Sequence, residues 1–146
     1  MDKIAKKMNR QIKFRAWDKE IEDYADVSMI DFKGKSAICE QHKFGIPDPI
    51  NLNDLVLEQF TGIKDKTGKD IYENDLIKYA TEDDDDYFIA PVKYLGNDGY
   101  PAFDIPIKYI PDGYYFESNV LATGVSEGAI EAVGNIHQNY ELLSEK

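Results

Sequence analysis

Cys39 and His42 are the residues of this 146-residue chain that come nearest to a catalytic pair. A cysteine three residues before a histidine could serve as nucleophile and base. The surrounding segment is typical of a loop, however, and nothing in it orients the histidine. The other histidine, His137, has no metal-ligand or Ser–His–Asp spacing around it. We therefore predict no catalytic residue, and a protein that is not an enzyme.

A second candidate is the segment from Gly62 to Lys69, whose glycines and lysine invite comparison with a phosphate-binding loop. Five residues rather than four separate Gly62 from Gly68, and Asp70 stands where a magnesium-binding Ser or Thr would be needed. The residues that follow are typical of a strand, so no helix amino terminus would face a phosphate. The segment is better interpreted as a β-hairpin turn.

The acidic run from Glu82 to Asp86 is a third candidate, because carboxylate oxygens are the ligands that hard cations favour. Neighbouring side chains on an extended strand point to opposite faces, and the run lacks the alternating spacing of a calcium loop. We predict a solvated loop without a metal or other cofactor. Its aspartates are candidates for contact with a partner: Asp83, Asp84, Asp85 and Asp86.

Trp17 lies between Arg15 and Asp18 in the order Arg-Ala-Trp-Asp, and tryptophan and arginine are enriched at binding hot spots. Arg15, Trp17 and Asp18 are therefore also candidates for contact with a partner, although a tryptophan in the core would fit the pattern as well. Several tyrosines alternate with small or polar residues in strand-like runs, which favours cross-strand aromatic packing over a base-stacking platform. They are Tyr87, Tyr94, Tyr100, Tyr109, Tyr114 and Tyr115.

Charge is distributed unevenly along the chain. Residues 1–15 carry six basic side chains and one acidic one, a net charge of +5, whereas the other 131 residues carry −16. Such an arm could touch phosphates, could bind the acidic surface of a neighbouring copy, or could be a solvated terminus. The acidic body argues against general nucleic-acid binding. The basic arm includes Lys3, Lys6, Lys7, Arg10 and Lys13.

The composition limits the cell compartment. A single cysteine excludes an internal disulfide framework and a cysteine-based zinc site. No run approaches 18 apolar residues, and the basic start lacks the apolar stretch of a secretion signal. We predict a cytoplasmic protein that does not contact a membrane.

The hydrophobic pattern indicates strands. A period of two begins near Ile12, and turn signals recur every eight to fifteen residues. We predict a mainly β fold of antiparallel hairpins in a small barrel-like architecture of the SH3 or OB kind, with short helical turns at both termini. Residues 1–10 would form the arm and residues 11–146 a single domain, with two small sub-barrels as an alternative.

Three blocks resemble the YopX-like proteins in sequence and order: Ile12 to Asp18, Gln59 to Ile77, and Val133 to Ile136 with Asn139 and Glu141 to Leu143 after it. Asn74 stands where that family usually has glycine, and Tyr140 where proline is common. YopX-like proteins are mainly β proteins encoded by phages and prophages, without an established activity. The resemblance therefore implies an origin and an architecture, in the cytoplasm of a bacterial host.

These observations favour a non-enzymatic phage accessory protein that works by protein–protein contact, as a homo-oligomer or with a host or phage protein. An alternative is an acidic decoy that imitates DNA, since an extended carboxylate run places a charge every ~3.3 Å, close to the ~3.4 Å spacing along one DNA strand. A further alternative is a small β-barrel that binds nucleic acid through the basic arm.

Overall fold

The computed structural model describes residues 9–40, 48–82 and 85–144. The chain divides into two compact units, one ending at Phe60 and the other beginning at Thr61. Each unit is built around antiparallel strands and has a core of its own.

The first unit is an antiparallel sheet in which the strands stand in the order β4-β3-β2-β1-β5. Its core consists mainly of small side chains, including Ala16, Ala25 and Ala37 with Cys39 and Leu55. The strands are β1 (Phe14–Asp18), β2 (Asp23–Asp31), β3 (Ser36–Glu40), β4 (Pro49–Asn51) and β5 (Leu55–Lys64), with a 3-10 turn at Leu52–Asp54.

The second unit contains the end of β5, with β6 hydrogen-bonded to it, a three-stranded sheet in the order β11-β7-β8, and a two-stranded β9–β10 ladder. A short helix precedes the last strand. The elements are β6 (Asp70–Tyr72), β7 (Asp75–Ala80), β8 (Tyr87–Pro91), β9 (Lys93–Tyr94), β10 (Phe103–Asp104), α1 (Val120–Ser126) and β11 (Ile130–Asn135), with 3-10 turns at Gly96–Asp98, Ile107–Tyr109 and Tyr140–Ser144.

The β5–β6 hairpin is fixed by the side chain of Asp65. Its Oδ1 accepts hydrogen bonds from the backbone N–H groups of Thr67 and Lys69 and from the Thr67 hydroxyl, at 2.7–2.9 Å. Its Oδ2 accepts from the N–H of Ala132 on β11, also at 2.9 Å. Gly68 closes the loop at φ +89°, a left-handed conformation that glycine adopts without a Cβ clash. One carboxylate thus joins the hairpin to the last strand.

A tight corner between β6 and β7 lies at Asn74, whose φ is +70°. Asparagine tolerates this left-handed conformation better than most residues, which explains its presence where the family usually has glycine. The Asn74 side chain also accepts a hydrogen bond from Nζ of Lys93 at 2.6 Å, a contact that glycine would lack.

Helix α1 was not expected, because the sequence predicted helical turns only at the termini. Asn119 caps it by accepting a hydrogen bond from the N–H of Ala122 at 2.8 Å. The buried carboxylate of Asp104 accepts a second amide of the first turn, from Leu121, at 3.0 Å. These two side chains stabilise a helix in a segment whose β-branched residues favour strand.

The prediction of a mainly β, antiparallel fold is confirmed, and the carboxyl-terminal helical turn begins at Tyr140 as expected. The predicted amino-terminal turn lies outside the described residues. The described strands form no closed barrel, so the barrel stays a prediction. In the described part of the chain, no helix is long and apolar enough to cross a membrane.

Candidate functional site

Two aromatic rings of the second unit stack across the β7–β8 ladder. Tyr79 and Phe88 are register partners, and their ring centroids lie 5.3 Å apart with the planes 5° from parallel. Both side chains belong to the buried core of the unit. This stacked pair forms one side of a larger aromatic group.

The other side comes from the irregular segment that follows the turn at Gly113. The rings of Tyr114 and Phe116 lie parallel at 6.4 Å, and each meets a ring of the first pair edge-on. Tyr114 lies 4.9 Å from Phe88, and Phe116 lies 5.4 Å from Tyr79. The four rings form a closed circuit, which we call the ring cluster. The residue between, Tyr115, is 84% exposed.

Each tyrosine of the ring cluster donates its hydroxyl hydrogen to a carboxylate. Tyr79 bonds to Oε2 of Glu127 at 3.0 Å, and Tyr114 bonds to Oδ1 of Asp86 at 2.8 Å. Burial first, and then the hydrogen bond to the nearby carboxylate and its charge, together raise the pKa of both tyrosines to about 12. The hydroxyls therefore stay protonated at neutral pH.

A cavity of about 630 Å³ opens beside the ring cluster, and we call it the tyrosine cleft. Its lining includes Tyr79, Tyr114 and Phe116 together with four acidic side chains, and no described lining residue is Lys, Arg or His. The acidic residues are Asp86, Asp112, Glu117 and Glu127. The cleft combines carboxylates with aromatic rings, whose faces carry partial negative charge.

This arrangement favours a positively charged organic group. Ring faces attract cations, and carboxylates accept charge-assisted hydrogen bonds from guanidinium or ammonium donors. The described residues include no group of three or more His, Cys, Asp or Glu side chains that could hold a metal ion.

Trp17 and Arg15, predicted to contact a partner, lie in the first unit beside a buried glutamate. Trp17 is 9% exposed and packs edge-to-face on Tyr24 at 5.1 Å. Nε of Arg15 and the hydroxyl of Tyr24 both donate to Oε1 of the buried Glu58, at 2.8 and 2.9 Å. The guanidinium also stands 4.3 Å from the centre of the Tyr24 ring.

Asp18, also predicted to contact a partner, is buried at the end of β1. Its Oδ1 accepts a hydrogen bond from the backbone N–H of Glu20 at 2.9 Å, and its carbonyl oxygen accepts one from Glu22 at 2.8 Å. Glu22 completes this turn at φ +53°. The contacts of Asp18 shape the β1–β2 connection, and its role in a partner contact stays a prediction.

The acidic run and the basic arm are described only in part. Asp85 and Asp86 are exposed, and of these two Asp86 lines the tyrosine cleft. Arg10 is exposed, and Nζ of Lys13 lies 4.6 Å from the centre of the Phe60 ring. The other predicted residues lie outside the described part of the chain: Asp83, Asp84, Lys3, Lys6 and Lys7.

Cys39 is buried in the core of the first unit, and His42 lies outside the described residues. Burial raises the pKa of the Cys39 thiol, and the carboxylates of Asp18 and Asp26 raise it further. The thiol is therefore protonated at neutral pH, which makes it a poor nucleophile.

Most residues of the ring cluster and of the tyrosine cleft were not evident from the sequence. Tyr79, Phe88, Phe116 and Glu127 were not candidates, because they come from segments that are distant in the chain. The alternation of Tyr114, Tyr115 and Phe116 was the available signal: the first and third pack inward and the second is exposed. Tyr94 and Phe103 pack across the β9–β10 ladder at 5.3 Å, as the expected cross-strand aromatic packing requires.

Comparison with known proteins supports the fold. A family model described as "YopX protein" matches residues 13–144. A crystal structure of protein EF1440 from Enterococcus faecalis is similar, with a TM-score of 0.59 and 23% identity, covering 92% of this chain and 99% of that chain. The search of curated proteins found no significant match.

Proposed function

The chain belongs to the YopX family, and on this premise we propose that it is a non-enzymatic phage accessory protein, an interaction module that self-associates. The basic arm of one copy binds the acidic surface of another. Residues 1–15 carry +5 and the remainder carries −16, so the contact brings together opposite charges that one sequence already supplies.

Exposed apolar side chains carry this proposal. In the second unit Ile107 is 86% exposed and Tyr115 is 84% exposed, and in the first unit Phe32 and Met29 are also largely exposed. Scattered apolar residues are normal on a surface, but large and aromatic side chains are the groups that contribute most at protein interfaces. Their number here favours contact with another protein.

The buried carboxylates support the non-enzymatic part of this proposal, because their hydrogen bonds give them a structural role. Glu58 is bonded by Arg15 and Tyr24, and Asp65 accepts four hydrogen bonds. Asp104 accepts from the backbone N–H groups of Ile105 and Leu121. Carboxylates held in this way stabilise turns and strand ends.

The test is the molar mass in solution, measured by light scattering over a range of concentrations. We expect a multiple of 16.7 kDa for the full chain, and a fall toward the monomer in a variant with reversed arm charges. This arm-reversed variant carries Lys3→Glu, Lys6→Glu, Lys7→Glu and Arg10→Glu.

A matched control changes four exposed lysines elsewhere by the same total charge: Lys33→Glu, Lys35→Glu, Lys66→Glu and Lys69→Glu. We expect it to keep the mass of the unmodified chain. Equal masses for the full chain and the arm-reversed variant would remove the arm from the assembly, and a full chain that is monomeric throughout would refute self-association.

The same preparations separate the two functions that the sequence left as alternatives. Titration with duplex DNA at low salt detects binding through the arm, which the change of Lys6, Lys7 and Arg10 to Ala would abolish. Recovery of a DNA-binding protein from host lysate would instead favour the acidic decoy. We expect no DNA binding.

A further inference from the structure

The tyrosine cleft has a chemistry that selects a cation. Four carboxylates line it together with the aromatic side chains of Tyr79, Tyr114 and Phe116. Two of the carboxylates, those of Asp86 and Glu127, already accept a tyrosine hydroxyl through one oxygen. Both residues are exposed, so the carboxylates remain accessible to a ligand that enters from solvent. A cation that enters the cleft would meet these carboxylates beside the partly exposed rings of Tyr114 and Phe116.

The cleft suits a planar guanidinium better than a compact ammonium group. A guanidinium is planar, stacks on aromatic rings and can donate two parallel hydrogen bonds to one carboxylate, whereas an ammonium is a compact and strongly hydrated charge. The ring cluster offers flat surfaces beside the carboxylates. A neighbouring cavity of about 700 Å³ shares Asp86, Asp112 and Tyr114 with the cleft, so there is room for the chain that carries the guanidinium.

The chain itself supplies such a group. Of the arginines, Arg15 is engaged with Glu58 and Tyr24, whereas Arg10 is exposed in the segment before β1. Arg10 also lies in residues 1–15, the most basic part of the sequence, together with four lysines. We therefore propose that the tyrosine cleft holds the guanidinium of Arg10 from the arm of a second copy. This inference rests on the proposed function and specifies where the arm binds.

The experiment uses a fluorescent synthetic peptide of residues 1–15, titrated into the full-length arm-reversed variant, whose own arm no longer competes. Binding is followed by fluorescence polarisation. We expect Asp86→Asn and Glu127→Gln each to weaken binding about fivefold, and the peptide change Arg10→Gln to weaken it at least as much. Arg10→Lys keeps the charge but loses the planar fork, so its effect should be intermediate.

Asp98→Asn is the matched control, because Asp98 is an exposed acid of the second unit that does not line the tyrosine cleft. It removes the same charge and should leave peptide binding unchanged. Equal weakening by Asp98→Asn and Asp86→Asn would overturn the site, and so would a peptide with Arg10→Gln that binds as tightly as the unmodified one. The peptide changes keep the test valid even where a cleft variant folds poorly.

Molar mass separates this inference from the proposed function. If the full chain self-associates and Asp86→Asn with Glu127→Gln leaves its mass unchanged, the cleft is refuted as the binding site and self-association stands. If the full chain is monomeric, a second copy is refuted as the occupant. A mass that falls in the double variant, and stays constant in Asp98→Asn, supports both.

Discussion

Arg15 and Glu58 are register partners across the β1–β5 ladder, and Nε of Arg15 lies 2.8 Å from Oε1 of Glu58. The Glu58 side chain is fully buried, whereas that of Arg15 is 19% exposed. A buried carboxylate is costly to fold unless it is paired and hydrogen-bonded. The pairing with Arg15 therefore helps to make the burial of Glu58 tolerable.

We expect Arg15→Met to destabilise the protein by about 3 kcal/mol, because it removes a charge-assisted hydrogen bond from a fully buried carboxylate. Tyr24→Phe removes only a hydroxyl donor to the same oxygen and should cost about 1 kcal/mol. Urea unfolding of the first unit measures both. The control Lys13→Met removes a partly exposed cation from the Phe60 ring, and the prediction fails if it costs as much as Arg15→Met.

Asp65 provides a pH-dependent test in the second unit. Burial acts to raise the pKa of Asp65, but the hydrogen bonds from the Thr67 hydroxyl and from the amides of Ala132, Lys69 and Thr67 outweigh it and lower the pKa below 3.8. A lowered pKa in the folded state means that the stabilisation is present above pH 3.8 and is lost as the pH falls through the folded value.

We therefore expect Asp65→Asn to cost about 2 kcal/mol at neutral pH, and the cost to shrink in acid. Asp70→Asn is the matched control, since Asp70 contacts the largely exposed Lys64 in the same hairpin and such surface pairs contribute less than about 1 kcal/mol. Unfolding curves at neutral and acid pH give the comparison. A cost for Asp65→Asn that is independent of pH would contradict the ionised hydrogen-bonded state.

The two tyrosines of the ring cluster should lose their hydroxyl protons at a higher pH than an ordinary tyrosine does. Burial, and then the bonded carboxylates of Glu127 and Asp86, raise the pKa of Tyr79 and Tyr114 from 10 to about 12. Since the unfolded chain loses these protons first, stability is fully present below pH 10 and falls as the pH rises toward 12. A titration followed by tyrosinate absorbance should lose one step near pH 12 in Tyr79→Phe and one in Tyr114→Phe.

Gly124 permits helix α1 to approach the sheet. A Cβ built at this position would lie 2.4 Å from Cδ1 of Ile130 and 2.6 Å from Cε2 of Tyr79. Alanine favours a helix by about 1 kcal/mol over glycine, yet we expect Gly124→Ala to destabilise by about 2 kcal/mol because the buried contact cannot widen. Ser126→Ala, at an exposed position of the same helix, should stabilise slightly. Thermal unfolding distinguishes the two.

The parts of the fold that local chemistry determines could be predicted from the sequence. The turns at Gly68 and Asn74 require a left-handed backbone. Glycine and asparagine adopt this conformation more readily than other residues, so the sequence indicates it. Helix α1 was missed because Val120, Thr123 and Val125 favour strand, and the capping partner Asp104 lies far away in the chain.

Only single residues of the candidate site could be predicted from the sequence. Asp86 was identified by its charge, but its bond to Tyr114 joins residues 28 positions apart, and the bond between Tyr79 and Glu127 spans 48. A local sequence pattern cannot predict such pairings, because they depend on which distant segments become neighbours in the fold. The burial of Trp17 had the same cause: its edge-to-face contact with Tyr24 depends on the β1–β2 register.

The two strands that pair with β7 are synthesised at very different times during translation. β8 is synthesised soon after β7, whereas the pairing of Tyr79 with Ile130 must wait until the residues of β11 have emerged. Until then one edge of β7 presents bare amide and carbonyl groups, which can pair with another nascent chain. The pace of synthesis through the residues between these strands therefore sets how long the nascent protein is exposed to misassembly.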